Sequence, residues 1–245
     1  FGIYNRHVCL LLYVLVAGLI FMPNSRKLAL FCAATMLCLF LTKVTGFLVG
    51  GLFGFTALLA GRISLSNVLI AIIAALVLLA GLELNGHMIS AYLADISQLL
   101  MLNQAALLPR FLTVISGKLD VILPAGALAV VLFWHETRHN ITPTRFFDRG
   151  SVWLAIAVAG GIFVETQNTG SQEFIFLWPV LLMIWQRIRP LNDNKIKMTV
   201  LILTAFVAVP TVSKVGHKVL RAIAVAPTYV QPPVTELKNM AQIST

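Results

Sequence analysis

Apolar residues in this 245-residue chain are gathered into long blocks, each closed by a short polar or basic segment. Eight blocks stand out, at roughly 7 to 22, 28 to 42, 44 to 60, 66 to 82, 120 to 135, 151 to 165, 174 to 187 and 197 to 212. A chain that must satisfy its backbone hydrogen bonds inside lipid is written this way, because hydrocarbon offers the peptide groups no partner. The pattern predicts an all-α, polytopic transmembrane helix bundle of about eight spans. Several blocks fall short of the roughly 20 apolar residues that a spanning helix wants. Such blocks must be extended by snorkelling ends, lie in thinned bilayer, or be partly re-entrant.

The connection from Glu83 to Asp120 reads differently. It carries Asp95, Gln98, Asn103, Gln104 and Arg110, too many polar groups to cross hydrocarbon. Ile89, Tyr92, Leu93, Ile96, Leu99 and Leu100 recur at helical spacing, with Asp95 and Gln98 on another face. This predicts an amphipathic helix lying on the membrane interface or on the bundle, ended by Pro109. The organisation that follows is a four-span half over 1–82, an outer loop with the amphipathic helix over 83–119, a second four-span half over 120–213, and a tail over 214–245. In the tail, Lys214, Lys218 and Arg221 form a basic stripe at i, i+4 and i+7 before an extended segment holding Pro227, Pro232 and Pro233. No internal repeat is visible. The chain begins with Phe1, and a fragment or processed chain is expected.

Composition strengthens the membrane reading. Hydrophobic residues make up 59% and charged residues 11%, against roughly 45–50% apolar in soluble domains. The net charge of +9 is distributed unevenly. With the N-terminus placed outside, the inner connections hold ten Lys and Arg, among them Arg26, Arg62, Arg149 and Arg187. The outer connections before the tail hold four, namely Arg6, Lys43, Arg110 and Lys118. Positive charge is retained on the cytoplasmic side of short loops, so the excess needs no nucleic acid partner. The same layout leaves the basic tail outside. Cys9, Cys32 and Cys38 all lie in apolar blocks, without a CxxC pair, and read as small packing residues.

Four groups of residues could carry chemistry. His135, Glu136 and His139 fit HExxH, in which two imidazoles one turn apart hold zinc and the glutamate serves as general base. Opposed to that is a basic helix end, where His and Arg suit the C-terminal dipole. The turn ETQNTGSQE places Glu165, Gln167, Asn168 and Glu173 together, a donor set for a sugar, another hydroxyl-rich ligand or a hard divalent cation. A solvated hairpin capping two helices is the alternative. Lys43, in LTKVTG, is held between two apolar blocks, where it must snorkel, pair or meet an anion such as a lipid phosphate. Lys214 in the basic stripe admits the same two explanations. Gly50 and Gly54 form a GxxxG suited to close helix packing.

Taken together, the uneven spans, the isolated Lys43 at a membrane-edge turn, the long interfacial helix and the polar turn ETQNTGSQE resemble the GT-C superfamily of membrane glycosyltransferases. The resemblance implies transfer of sugar from a polyprenyl-phosphate donor in envelope glycan assembly, in a multi-pass protein of the bacterial inner membrane. It implies that Lys43 and Lys214 pair with the donor phosphate, and that Glu165 and Glu173 contact sugar or acceptor. It also implies a catalytic carboxylate in the first large outer loop, whereas the first acid here is Glu83. Membrane lipids are the expected partners. A transporter or flippase for a small or lipid-linked solute and an intramembrane zinc protease are the alternatives.

Overall fold

In the computed structural model the described residues are 3–103, 107–138, 146–166 and 174–225. They form ten α-helices: α1 Ile3–Phe21, α2 Arg26–Thr42, α3 Val44–Leu59, α4 Leu65–Leu84, α5 Met88–Asn103, α6 Leu107–Gly117, α7 Leu119–Thr137, α8 Gly150–Thr166, α9 Leu177–Ile188 and α10 Asn194–Val225. Each of the eight apolar blocks falls on one of these helices, and the only regular elements among the described residues are helical.

The count of eight spans is not met. Three helices, α4, α7 and α10, are long and apolar enough to cross a membrane by length and composition. At about 1.5 Å per residue, the 17 residues of α2 reach about 26 Å and the 12 of α9 about 18 Å. Both fall short of a hydrocarbon core of roughly 30 Å. Apolar patterning marked where helices form, while their ends were fixed by turns and caps that the pattern does not weigh. Ser25 caps α2 by accepting from the Leu28 N–H at 3.4 Å, and Ser64 caps α4 by accepting from that of Asn67 at 3.3 Å. Between α2 and α3 a single residue, Lys43, makes the turn in extended backbone. Its N–H donates to the Leu39 carbonyl, and its own carbonyl accepts from Gly46 and Phe47.

The chain divides into two units, Phe1–Val207 and Ala208–Thr245. In the first, α1 packs on α2, α3 and α9, and α8 packs on α3, α6, α7 and α9. Its centre is aromatic: the rings of Phe53 and Trp153 stack at 6.1 Å, and Phe176 meets Phe53 edge-on at 6.2 Å, all three fully buried. Close approach of α3 to α8 needs Gly160, because a side chain there would meet Val49 at 2.8 Å. Cys9 and Cys32 are buried as packing residues, whereas Cys38 is exposed. In the second unit, helix α10 continues from Ala208 to Val225.

The amphipathic connection is helical, in two pieces, and Pro109 does not end either one. It stands third in α6, in a first turn where the missing N–H would have had no helical partner anyway. α5 packs on α4, and its Tyr92 hydroxyl donates to the Phe40 carbonyl at 2.7 Å. Helix α4 contributes no buried residue, and Leu69, Ile72, Ile73, Leu76 and Val77 are all exposed. So much bare apolar surface on one helix calls for lipid or a partner as its solvent.

Candidate functional site

Three features of the first unit bear on function: an ionic latch at one end of the helices, a charged pair at the opposite end, and an apolar cleft between them.

The latch is centred on Asp148, just ahead of α8. Arg62, in the α3–α4 turn, donates from Nε to Oδ1 at 2.6 Å; Arg187, near the end of α9, donates from Nη2 to Oδ2 at 2.7 Å. Arg187 also reaches the Asp148 carbonyl. Arg62 donates to the Ile20 carbonyl at the end of α1 at 2.7 Å, and its guanidinium stands 5.6 Å from the Trp153 ring centroid. The carboxylate therefore ties the α3–α4 turn and the end of α9 to the start of α8 with charge-assisted hydrogen bonds, the stronger kind, and Arg62 extends the latch to the end of α1. Next to it, Asn24 Oδ1 accepts from the Ser64 N–H and from the Asn67 amide, joining the α1–α2 turn to the start of α4.

Arg62 and Arg187 belong to two of the connections predicted to face inward, and their meeting at Asp148 puts those connections on one end of the bundle. At the opposite end Lys118, just before α7, pairs with Glu165, near the end of α8, at 3.7 Å. Both side chains are at least nine-tenths buried. Desolvating two charges so completely costs several kcal/mol per ion by order of magnitude, and their mutual attraction must offset it.

The cleft has a volume of about 360 Å³ and is walled by α1, α2, α3 and α4. Leu19, Met36, Phe47, Gly54, Phe55 and Leu76 are among its lining, which is almost wholly apolar. The two glycines of the GxxxG serve different ends. A side chain on Gly50 would strike Met36, Leu39 and Leu15, so that glycine is needed for packing. One on Gly54 would meet nothing within 4 Å, since it faces the open cleft, and the packing role expected for Gly54 is corrected accordingly. At one end of the cleft, Phe47 lies one helical turn beyond Lys43. Lys43 is half-buried, and burial pushes its ammonium below the usual lysine range. The neighbouring Thr45 hydroxyl is buried and meets no hydrogen-bond partner among the described residues.

The predicted site residues are thus distributed unevenly. Lys43 and Glu165 lie toward the same end of the first unit, because α3 and α8 run antiparallel, with Phe53 on Trp153 and Val49 on Gly160. Gln167, Asn168 and Glu173 lie outside the described residues. Lys214 stands in the second unit, on the run of helix that carries Lys218 and Arg221.

The proposed zinc ligand His139 also lies outside the described residues. Glu136 accepts from the Gly150 N–H at 2.8 Å and the Ser151 hydroxyl at 2.5 Å, which makes it the cap of α8. The carboxylate cast as a general base is committed to orphan donors at a helix start. No group of three His, Cys, Asp or Glu side chains among the described residues could hold a metal ion.

Sequence reasoning missed Asp148 and the partnership of Lys118 with Glu165. A usable signal existed for the first. Acids number only nine in the chain, and one set among inward-facing arginines is a natural acceptor for them. No family model matches the chain, and no curated protein or solved structure does either.

Proposed function

We propose that the chain is a multi-pass membrane protein that works on a lipid-linked sugar, as a glycosyltransferase drawing on a polyprenyl-phosphate donor. The observation that carries this reading is the apolar cleft of about 360 Å³, whose Phe47 end lies one turn from Lys43. Ligand sites typically enclose about 300–1,000 Å³, and an apolar lining with a cation just beyond one end suits a hydrocarbon chain carrying a phosphate. Lys43 would meet that phosphate, and Glu165, held by Lys118, would stand on the acceptor side. The membrane part of the reading draws support from α4, α7 and α10, which are long and apolar enough to cross. It also draws on the separation of the Asp148 latch from the Lys118–Glu165 pair at opposite helix ends. In this reading α4, α7 and α10 cross an inner membrane, and the shorter apolar helices are embedded beside them.

The test uses the full chain in liposomes with a radiolabelled polyprenyl-phosphate sugar. Donor binding is expected to fall about tenfold in Lys43→Ala, which removes a charge-assisted contact, and similarly in Gly54→Leu, which fills the cleft. Absence of sugar transfer, together with unchanged donor binding in both variants, would sink the proposal. A transporter or flippase for a lipid-linked solute is the second reading, favoured by the burial of the Lys118–Glu165 ion pair at the helix ends, since buried ionisable pairs in membrane proteins often mark transport pathways. Counterflow of labelled solute in proteoliposomes, without transfer chemistry, would select it.

A further inference from the structure

A second groove, of about 260 Å³, runs between α7 and α8, lined by Ala129, Val130, Phe133, Ser151, Val152 and Ala155. It is separate from the cleft of α1 to α4, with no lining residue in common. At the end of the groove nearest the Asp148 latch stands Arg149. Its guanidinium lies 5.6 Å from the ring centroid of Phe133, itself a lining residue, and 5.1 Å from that of Phe146.

Among the described residues no carboxylate answers the charge of Arg149. Asp148 is engaged by Arg62 and Arg187, and both oxygens of Glu136 accept from Gly150 and Ser151. Among the described residues Arg149 has no carboxylate partner, only a long 3.4 Å hydrogen bond to the Thr137 hydroxyl. Its Nε is buried and meets no acceptor there. An arginine held over aromatic rings, with no carboxylate partner among the described residues, is arranged for an anion with several oxygens, and phosphate is the usual match. An apolar groove leading away from such a cation adds a place for hydrocarbon.

We infer that the α7–α8 groove, with Arg149 at its head, binds an anionic phospholipid. Its phosphate sits on the guanidinium, and one acyl chain lies along Phe133, Val130 and Ala155. The inference rests on the membrane reading given above but not on the glycosyltransferase reading, and it concerns the opposite helix ends from Lys43. It names a structural lipid, held on the face where positive charge gathers.

The experiment reconstitutes the full chain in nanodiscs of equal phosphatidylglycerol and phosphatidylcholine, then counts the lipids retained after detergent washing by native mass spectrometry. Preferential retention of phosphatidylglycerol is expected, falling about tenfold in Arg149→Gln, as for loss of one charge-assisted contact. Ala155 is exposed, so Ala155→Phe fills the groove without touching the core. It should reduce retention similarly with the arginine intact, which keeps the test decisive if Arg149→Gln fails to fold. Equal retention of both lipids, or loss in Arg149→Gln alone with Ala155→Phe unchanged, overturns the inference. Failure of the chain to enter nanodiscs would instead overturn the membrane reading on which it rests.

Discussion

Arg62 and Asp148 lie 86 positions apart in the chain, and their side chains meet at 2.6 Å. Because Arg187 takes the other carboxylate oxygen, neutralising Asp148 leaves two guanidinium groups beside each other with no negative charge between them. Asp148→Asn is expected to lower stability by about 1–3 kcal/mol, the range for an unsatisfied polar site, with its partial exposure holding the cost down. Thermal unfolding in detergent reads the loss. Adding Arg187→Met should recover part of it by removing the excess cation.

The Lys118–Glu165 pair makes a different prediction, because its side chains are 10% and 6% exposed. Breaking a pair buried to this degree by Lys118→Met should cost about 3–5 kcal/mol, whereas Lys118→Met with Glu165→Leu should restore most of it. A double-mutant cycle by chemical unfolding measures the difference. Single and double variants of equal stability would mean that the pair is energetically silent.

Gly50 and Gly54 separate packing from binding. Gly50→Leu drives a side chain into Met36, Leu39 and Leu15 and should destabilise by about 1–3 kcal/mol or more, as overpacking does. Gly54→Leu enters open space, so its unfolding temperature should stay near that of the parent.

Glu136→Ala strands the Gly150 N–H and the Ser151 hydroxyl at the start of α8. A loss of about 0.5–2 kcal/mol is expected, as for other caps, with no change in metal content by elemental analysis. Stoichiometric zinc in the parent that disappears in His135→Ala would revive the protease alternative.

Sidedness is open to direct labelling. With Cys9, Cys32 and Cys38 replaced by Ala, single cysteines in place of Asn194 and Asn85, both exposed, are expected to react with an impermeant maleimide from opposite sides of the membrane. Asn194 begins α10, shortly after Arg187 on the latch end, and Asn85 follows α4 at the far end. Reaction of both from one side would dismantle the layout.

Apolar patterning in the sequence located all eight principal helices, and charge placement put Arg62 and Arg187 in connections of the same sidedness. Both readings depend on local information, since helix formation and loop charge are decided within a few residues. What tertiary structure decided was the pairing across distance. Asp148 became the centre of a latch, Glu136 the cap of α8, and Gly54 the wall of a cleft in place of a packing contact. None of these could be read along the chain, because each depends on which helix end lies beside which, and a pattern of greasy and charged positions carries no record of its neighbours in space.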